Sequence, residues 1–177
     1  MQLTEILKPL FRDVPDFPRE GIIFKDITPL LANPAARDSV VREMASHFSD
    51  QKIEAVAAVE ARGFIFGSLL ASALNVPFIP VRKAGKLPYK KLSEEYVLEY
   101  GNASLEIHED AIAKGQRVLI HDDLLATGGT ATAAGNLVRK LGGIVAGYSF
   151  VINLSFLPGE QLLKDRFDVQ PHYLMKF

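Results

Sequence analysis

The stretch VLIHDDLLATGGTA, residues 118 to 131, concentrates more chemistry than any other part of this chain. An apolar run ends in two carboxylates, Asp122 and Asp123, and a turn of small residues, Ala126-Thr127-Gly128-Gly129-Thr130, leads straight into a helical pattern. Glycines let backbone N–H groups converge on an anion, Thr127 and Thr130 add hydroxyl donors, and the N-terminus of the following helix adds a favourable dipole. That combination predicts a phosphate cradle. The two carboxylates would repel a phosphate, so they should face another part of the ligand, either sugar hydroxyls or a magnesium ion. No Gly-x-x-x-x-Gly-Lys-Ser/Thr and no Gly-x-Gly-x-x-Gly occurs, which excludes a Walker A loop and a dinucleotide fingerprint. A receiver domain would carry its acid pair after the first strand, not two-thirds of the way along.

Positioning such a cradle takes a strand before it and a helix after it, and the rest of the chain repeats that alternation. Leu3, Ile6, Leu7 and Leu10 recur at helical spacing. The Pro-rich DVPDFPREG forces irregular backbone. After Asn33-Pro34, the positions Val40, Val41, Met44, Ala45 and Phe48 form a helical stripe. IEAVAAV (53 to 59) reads as a strand buried on both faces, RGFIFGSLLASALN as a helix ending near Asn75, and VPFIPV (76 to 81) as the next strand. In that helix Phe64, Phe66, Leu69 and Leu70 read as core. Residues 82 to 95 are polar and basic, broken by Gly85 and Pro88, and read as a long exposed loop in which Lys90 and Lys91 are merely solvated. EYVLEY and ASLEIHE flank Gly101-Asn102 as a hairpin. RVLIHD (117 to 122) and IVAGYSFVINL (144 to 154) are strands on either side of the helix TATAAGNLVRKL, and PHYLMKF adds a closing strand. Strand and helix in alternation predict an α/β fold with a parallel-stranded open sheet flanked by helices, where ligands bind at the carboxyl ends of the strands.

Composition narrows the function further. The chain has 177 residues, 48% of them apolar, enough for one domain with a substantial core. Cys is absent, which rules out a disulfide scaffold, a thiolate metal site and a cysteine nucleophile. The 20 basic and 21 acidic residues are interspersed, so neither a nucleic acid nor an anionic membrane is the expected partner. The opening MQLTEILKPLFRD has Glu5 and Lys8 within its apolar positions and no small-residue cleavage site; it does not read as a secretory signal, and a cytoplasmic location is expected. His47, His108, His121 and His172 show no metal-ligand spacing.

The signature segment resembles that of the type I phosphoribosyltransferases. FPREGIIFKDITPLL (17 to 31), VEARGFIFG (59 to 67), VRKAGKLP (81 to 88) and YVLEYGNASLEIHEDAI (96 to 112) extend the resemblance to the adenine-specific enzymes over nearly all of the chain from residue 17 to about 150. It implies a single domain over 1–177 with a small N-terminal hood (1–33) and a flexible lid loop and hairpin (82–107) inserted in the core. The implied reaction moves the 5-phosphoribosyl group of phosphoribosyl pyrophosphate to adenine, with magnesium held mainly by the substrate's pyrophosphate and ribose hydroxyls, in a homodimer. On the matching positions, Asp122 and Asp123 would hold the ribose hydroxyls and Ala126, Thr127, Gly128, Gly129 and Thr130 the 5-phosphate. Glu60, Ala61 and Arg62 would form the pyrophosphate loop, with a strained or cis peptide between Glu60 and Ala61. Arg82, Lys83 and Lys86 would meet pyrophosphate, some across the dimer interface. Ile23, Phe24, Lys25 and Leu124 would surround adenine, Glu99 would accept its proton, and Tyr100 would close over the sugar.

Two departures stand out: His121 occupies a position that is apolar in the family, and Glu60 one where Asp is common. The signature fixes the sugar phosphate and not the base, so an enzyme for another purine remains an alternative. A non-catalytic sensor of phosphoribosyl pyrophosphate that binds nucleic acid is the other, although the basic face it would need is absent.

Overall fold

Ala55–Val59 (β3) is an unbroken run of small and β-branched residues with every side chain buried, as a strand covered on both faces requires. Around it the computed structural model, which describes residues 3–97 and 102–177, builds a seven-stranded sheet. The chain divides into two compact units, residues 1–43 and 44–177.

The first unit opens with a short helix, Leu3–Leu7 (α1), that tightens into a 3-10 turn at Pro9. Arg12–Pro15 (β1) and Ile23–Asp26 (β2) pair antiparallel, so part of the Pro-rich passage expected to be irregular is a strand. Pro15 is tolerated there because the two-stranded ladder is all edge. The Phe17-Pro18 bond is cis. Asp26 Oδ1 accepts the Thr28 N–H at 2.9 Å and starts the single turn Thr28–Leu31 (α2). Asn33 Oδ1 accepts the Ala36 N–H at 3.1 Å, capping the helix Pro34–Phe48 (α3) that leaves this unit.

In the second unit Phe78–Lys83 (β4), β3, Arg117–Leu125 (β7), Ile144–Asn153 (β8) and His172–Lys176 (β9) are parallel, in the order β4-β3-β7-β8-β9. The antiparallel pair Lys91–Val97 (β5) and Asn102–His108 (β6) extends the sheet beyond β4. On one face the helices Gly129–Lys140 (α5) and Gly159–Phe167 (α6) pack Leu137, Val138, Leu163 and Phe167 against Val118, Ile120 and Phe150. The alternate residues Ala58 and His121 point to the other face, where the helix Gly63–Leu74 (α4) lies so close that a methyl group added at Gly67 would stand 2.5 Å from Ala58 Cβ. Asn75, in the left-handed conformation, ends α4.

Four further sequence expectations change. Residues 82 to 95 are not a long loop, because 82–83 complete β4 and 91–95 belong to β5, leaving only 84–90 as the connection. Lys91 is not a solvated loop lysine: its Nζ pairs with Glu106 at 2.9 Å and donates to the Leu87 carbonyl at 3.0 Å. β7 does not end at the acid pair, because β8 continues to pair with it through Leu125. Leu69 sits on the outer side of α4 and is 36% exposed, whereas Phe66 and Leu70 are fully buried. The helix α6 is an addition that no sequence pattern announces. The hairpin turn expected at Gly101-Asn102, with Glu99 and Tyr100, falls largely outside the described residues.

Candidate active site

The acid pair lies near the carboxyl end of β7, just beyond the last residue paired with β3 and where β8 still pairs with the strand, rather than on a loop. Asp122 Oδ1 accepts the Asp123 backbone N–H at 2.9 Å, and Asp123, 4% exposed, places Oδ2 2.9 Å from Nε of Arg62. This last contact is a close ion pair rather than an aligned hydrogen bond, since Oδ2 has no donor in good geometry. Burial raises the pKa of Asp122 well above the usual carboxylate range, and the neighbouring Asp123 charge adds to the effect. Burial also raises that of Asp123, with the Arg62 guanidinium opposing it. Two carboxylates with one guanidinium beside them, drawn away from water, are acceptors short of donors. A vicinal diol supplies such donors.

Arg62 reaches the pair because it stands at the N-cap of α4, immediately after the Glu60-Ala61 bond, which is cis as the family resemblance implied. No side chain fits at the next position: a Cβ on Gly63 would meet Asp122 Oδ1 at 2.8 Å.

Beyond Leu125 the chain turns through Ala126, Thr127 and Gly128 into α5. Gly128 has φ +85, a left-handed conformation that glycine adopts without a Cβ clash, and its backbone packs on Gly159 at the start of α6. The Gly159 N–H donates to the Ala126 carbonyl at 3.1 Å. Arg62, the acid pair, Leu124 and the turn from Ala126 to Thr130 line a pocket of about 180 Å³. An adjoining pocket of about 410 Å³ shares Arg62, Asp122, Asp123 and Thr130 and adds Glu60, Ala61, Lys83 and Tyr96. The turn, the cis-peptide loop and one of the basic residues thus converge on one cleft.

Lys83 and Lys86 are exposed at the start of the 84–90 connection. The Arg82 guanidinium is engaged by Glu60 and by the Lys86 carbonyl. Ile23, Phe24 and Lys25 lie on β2 in the first unit. Ile23 is 57% exposed, the Phe24 ring meets Phe17 edge-on at 5.2 Å, and Lys25 Nζ pairs with Asp13 at 2.6 Å. Glu99 and Tyr100 lie outside the described residues.

Sequence reasoning passed over Tyr96, whose alternation with Glu94 along β5 was the available signal, and Glu106, whose carboxylate lies under the basic connection. His121 is fully buried, and burial pushes its pKa down to about 3, with the Ser149 backbone opposing the shift but meeting neither ring nitrogen in hydrogen-bond geometry. It is a neutral imidazole beneath the site, with a structural part to play.

Residues 26–153 match the phosphoribosyl transferase domain family. The chain is 56% identical over 159 residues to the adenine phosphoribosyltransferase of Pseudothermotoga lettingae, covering 90% of this chain and 94% of that protein. It superposes on the crystal structure of adenine phosphoribosyltransferase from Thermoanaerobacter pseudethanolicus with a TM-score of 0.94 at 51% identity, over 99% of this chain and 100% of the other. The Saccharomyces cerevisiae enzyme, solved with adenine and an imino-altritol bisphosphate, gives 0.87 at 38% identity over 98% and 97%. With the signature in place on the carboxyl end of β7 and the same fold along its whole length, this chain belongs to the adenine phosphoribosyltransferase family.

Proposed function

We propose that the protein transfers the 5-phosphoribosyl group of phosphoribosyl pyrophosphate to adenine, releasing AMP and pyrophosphate. The observation that carries this reading is the junction of the buried acid pair with the glycine-rich turn beside Arg62. Donor-poor carboxylates suit the ribose 2- and 3-hydroxyls, and the turn from Ala126 to Thr130 suits the 5-phosphate. The bond from the anomeric carbon to pyrophosphate breaks, the bond from that carbon to a ring nitrogen of adenine forms, and the ring N–H proton leaves. Cleavage runs through an oxocarbenium-like state, so stabilising the departing pyrophosphate matters more than a strong nucleophile. Arg62, Lys83 and Lys86 supply positive charge there.

Ile23, Phe24, Lys25 and Leu124 are assigned to the base, backbone groups reading its edge and Phe24 stacking on it. Glu99 is the proton acceptor, and Tyr100 closes over the sugar to exclude water, since hydrolysis of the activated sugar is the competing reaction. Among the described residues no group of three His, Cys, Asp or Glu is placed to hold a metal. Magnesium is assigned to the substrate's own pyrophosphate and ribose oxygens, where it would neutralise the departing charge.

A homodimer is proposed on the family resemblance. Sedimentation showing only monomer under assay conditions would remove that part. No helix among the described residues is long and apolar enough to cross a membrane.

The reading is tested by a panel of purine bases incubated with phosphoribosyl pyrophosphate and magnesium. Adenine should be the best acceptor. Preference for hypoxanthine or xanthine would overturn the assignment of Phe24 and Lys25, and binding of phosphoribosyl pyrophosphate with no turnover on any base would favour a sensor.

A further inference from the structure

The basic connection after β4 is far more tightly held than its composition suggests. Glu60 Oε1 accepts the Lys83 backbone N–H at 2.5 Å, while Oε2 accepts from Arg82 Nε at 3.1 Å and Nη2 at 3.0 Å. The Arg82 Nη1 then donates to the Lys86 carbonyl at 2.7 Å. Between them, the Lys86 N–H closes a tight turn on the Lys83 carbonyl at 3.2 Å, with Gly85 at φ +78. Glu106, in register with Arg82 across β6, accepts the Gly85 N–H at 3.2 Å from the other side. Both oxygens of Glu60 and all three guanidinium nitrogens of Arg82 are committed. The side chains of Lys83 and Lys86, at the two ends of the turn, remain exposed.

We infer that Glu60 and Arg82 are positioning residues: a carboxylate–guanidinium clamp that fixes the turn carrying Lys83 and Lys86, so that these two lysines meet the pyrophosphate already oriented. The inference rests on the pyrophosphate reading of this cleft. It gives Glu60 and Arg82 a role through the lysines, in place of direct contact with the ligand. It also accounts for an acidic side chain standing next to a polyanion site. Such a charge only repels the ligand unless what it organises outweighs the repulsion.

The two possibilities predict opposite signs. If Arg82 were itself a ligand, Glu60→Gln would release it and remove a negative charge, and pyrophosphate would bind more tightly. With a clamp, the same change loosens the turn, and binding weakens about 10- to 100-fold, the range typical when an outer-shell partner is removed. Titration calorimetry of magnesium pyrophosphate into the full-length protein reads this directly, for the wild type, Glu60→Gln, Arg82→Gln and the double variant. The expected result is weaker binding in each single variant, a double variant no worse than the weaker single, and a KM for adenine within about twofold of wild type. Tighter binding in Glu60→Gln, or a further tenfold loss when Arg82→Gln is added to it, would overturn the clamp. If Glu60→Gln does not fold, Arg82→Gln with Arg82→Lys decides. Recovery of pyrophosphate affinity by lysine, which restores the charge but not the fork to Glu60 and Lys86, would equally refute it. A wild type that binds pyrophosphate yet transfers nothing to adenine sinks the base assignment and leaves the comparison among these variants intact.

Discussion

Replacing His121 by valine should flatten the acid side of the protein's stability profile. The imidazole titrates near 6.5 in an unfolded chain and at about 3 in the fold, because burial disfavours its charged form. Between those values the unfolded state binds the extra proton, so stability rises with pH across this window and is lost as pH falls through it. Above about pH 7 both states are neutral and the residue contributes no slope. Integrating the difference from pH 7.5 to pH 5 gives about 2 kcal/mol, or a fall in Tm of roughly 4 to 8 °C for a chain of this length. At pH 7.5 the substitution removes two ring nitrogens that have no hydrogen-bond partner but also some packing against α4, and the two effects should cancel to within about 1 kcal/mol. His172, which burial and the stacked His47 3.9 Å away push down to about 4, titrates in both proteins and drops out of the subtraction, as do Asp122 and Asp123. Urea unfolding of wild type and His121→Val at pH 5 and 7.5, at one protein concentration, measures the difference. Parallel pH profiles would refute this account, because they would mean the imidazole is charged in the fold or solvated by a route through β8.

Asp122→Asn with Asp123→Asn should abolish turnover while leaving a folded protein, since it replaces two buried carboxylates by near-isosteric amides; unchanged kcat/KM would remove the pair from the ribose site. Glu99→Leu should depress the chemical step more than substrate binding, and normal single-turnover rates would exclude it as proton acceptor. Gly67→Ala gains up to about 1 kcal/mol in helix propensity, but its methyl would stand 2.5 Å from Ala58 Cβ, and overpacking of that kind costs about 1 to 3 kcal/mol. Net destabilisation in a denaturant melt is therefore expected, and a more stable variant would show that α4 can lift off β3 without cost.

How far the sequence could be read depended on whether a segment's pattern was set by its own surroundings. IEAVAAV and the α4 stripe announced themselves because a doubly covered strand and an amphipathic helix each require one period. The signature was legible because phosphate binding constrains residue type and spacing together. β5 was hidden because the middle one of its three inward positions, Leu92, Glu94 and Tyr96, is charged: Glu94 faces α5, where Asn136 donates to it at 2.6 Å and Lys140 pairs with it at 2.5 Å. Lys91 misled in the same way, looking solvated until its partner across the hairpin, Glu106, came into view. Aspartates at 122 and 123 looked like the end of a strand, since charge rarely continues in a buried ladder, yet Leu124 and Leu125 continue it to Ile152 and Asn153. Where ligand recognition sets the residue types, local hydropathy no longer marks the element boundaries.

The packing of Gly159 against Gly128 carries a consequence for where this site ends. The family match stops at residue 153, and nothing after it was assigned to substrate. Even so, the Leu154 N–H closes on the Leu125 carbonyl at 2.9 Å, and the first residue of α6 is the wall that the phosphate turn leans on. A segment outside the residues that line the pocket thereby bounds its depth. Divergence among relatives in this region would be expected to tune phosphate affinity while every signature residue stays the same. Cutting the chain at the motif's edge would keep all the recognisable letters and lose the surface that gives them their shape.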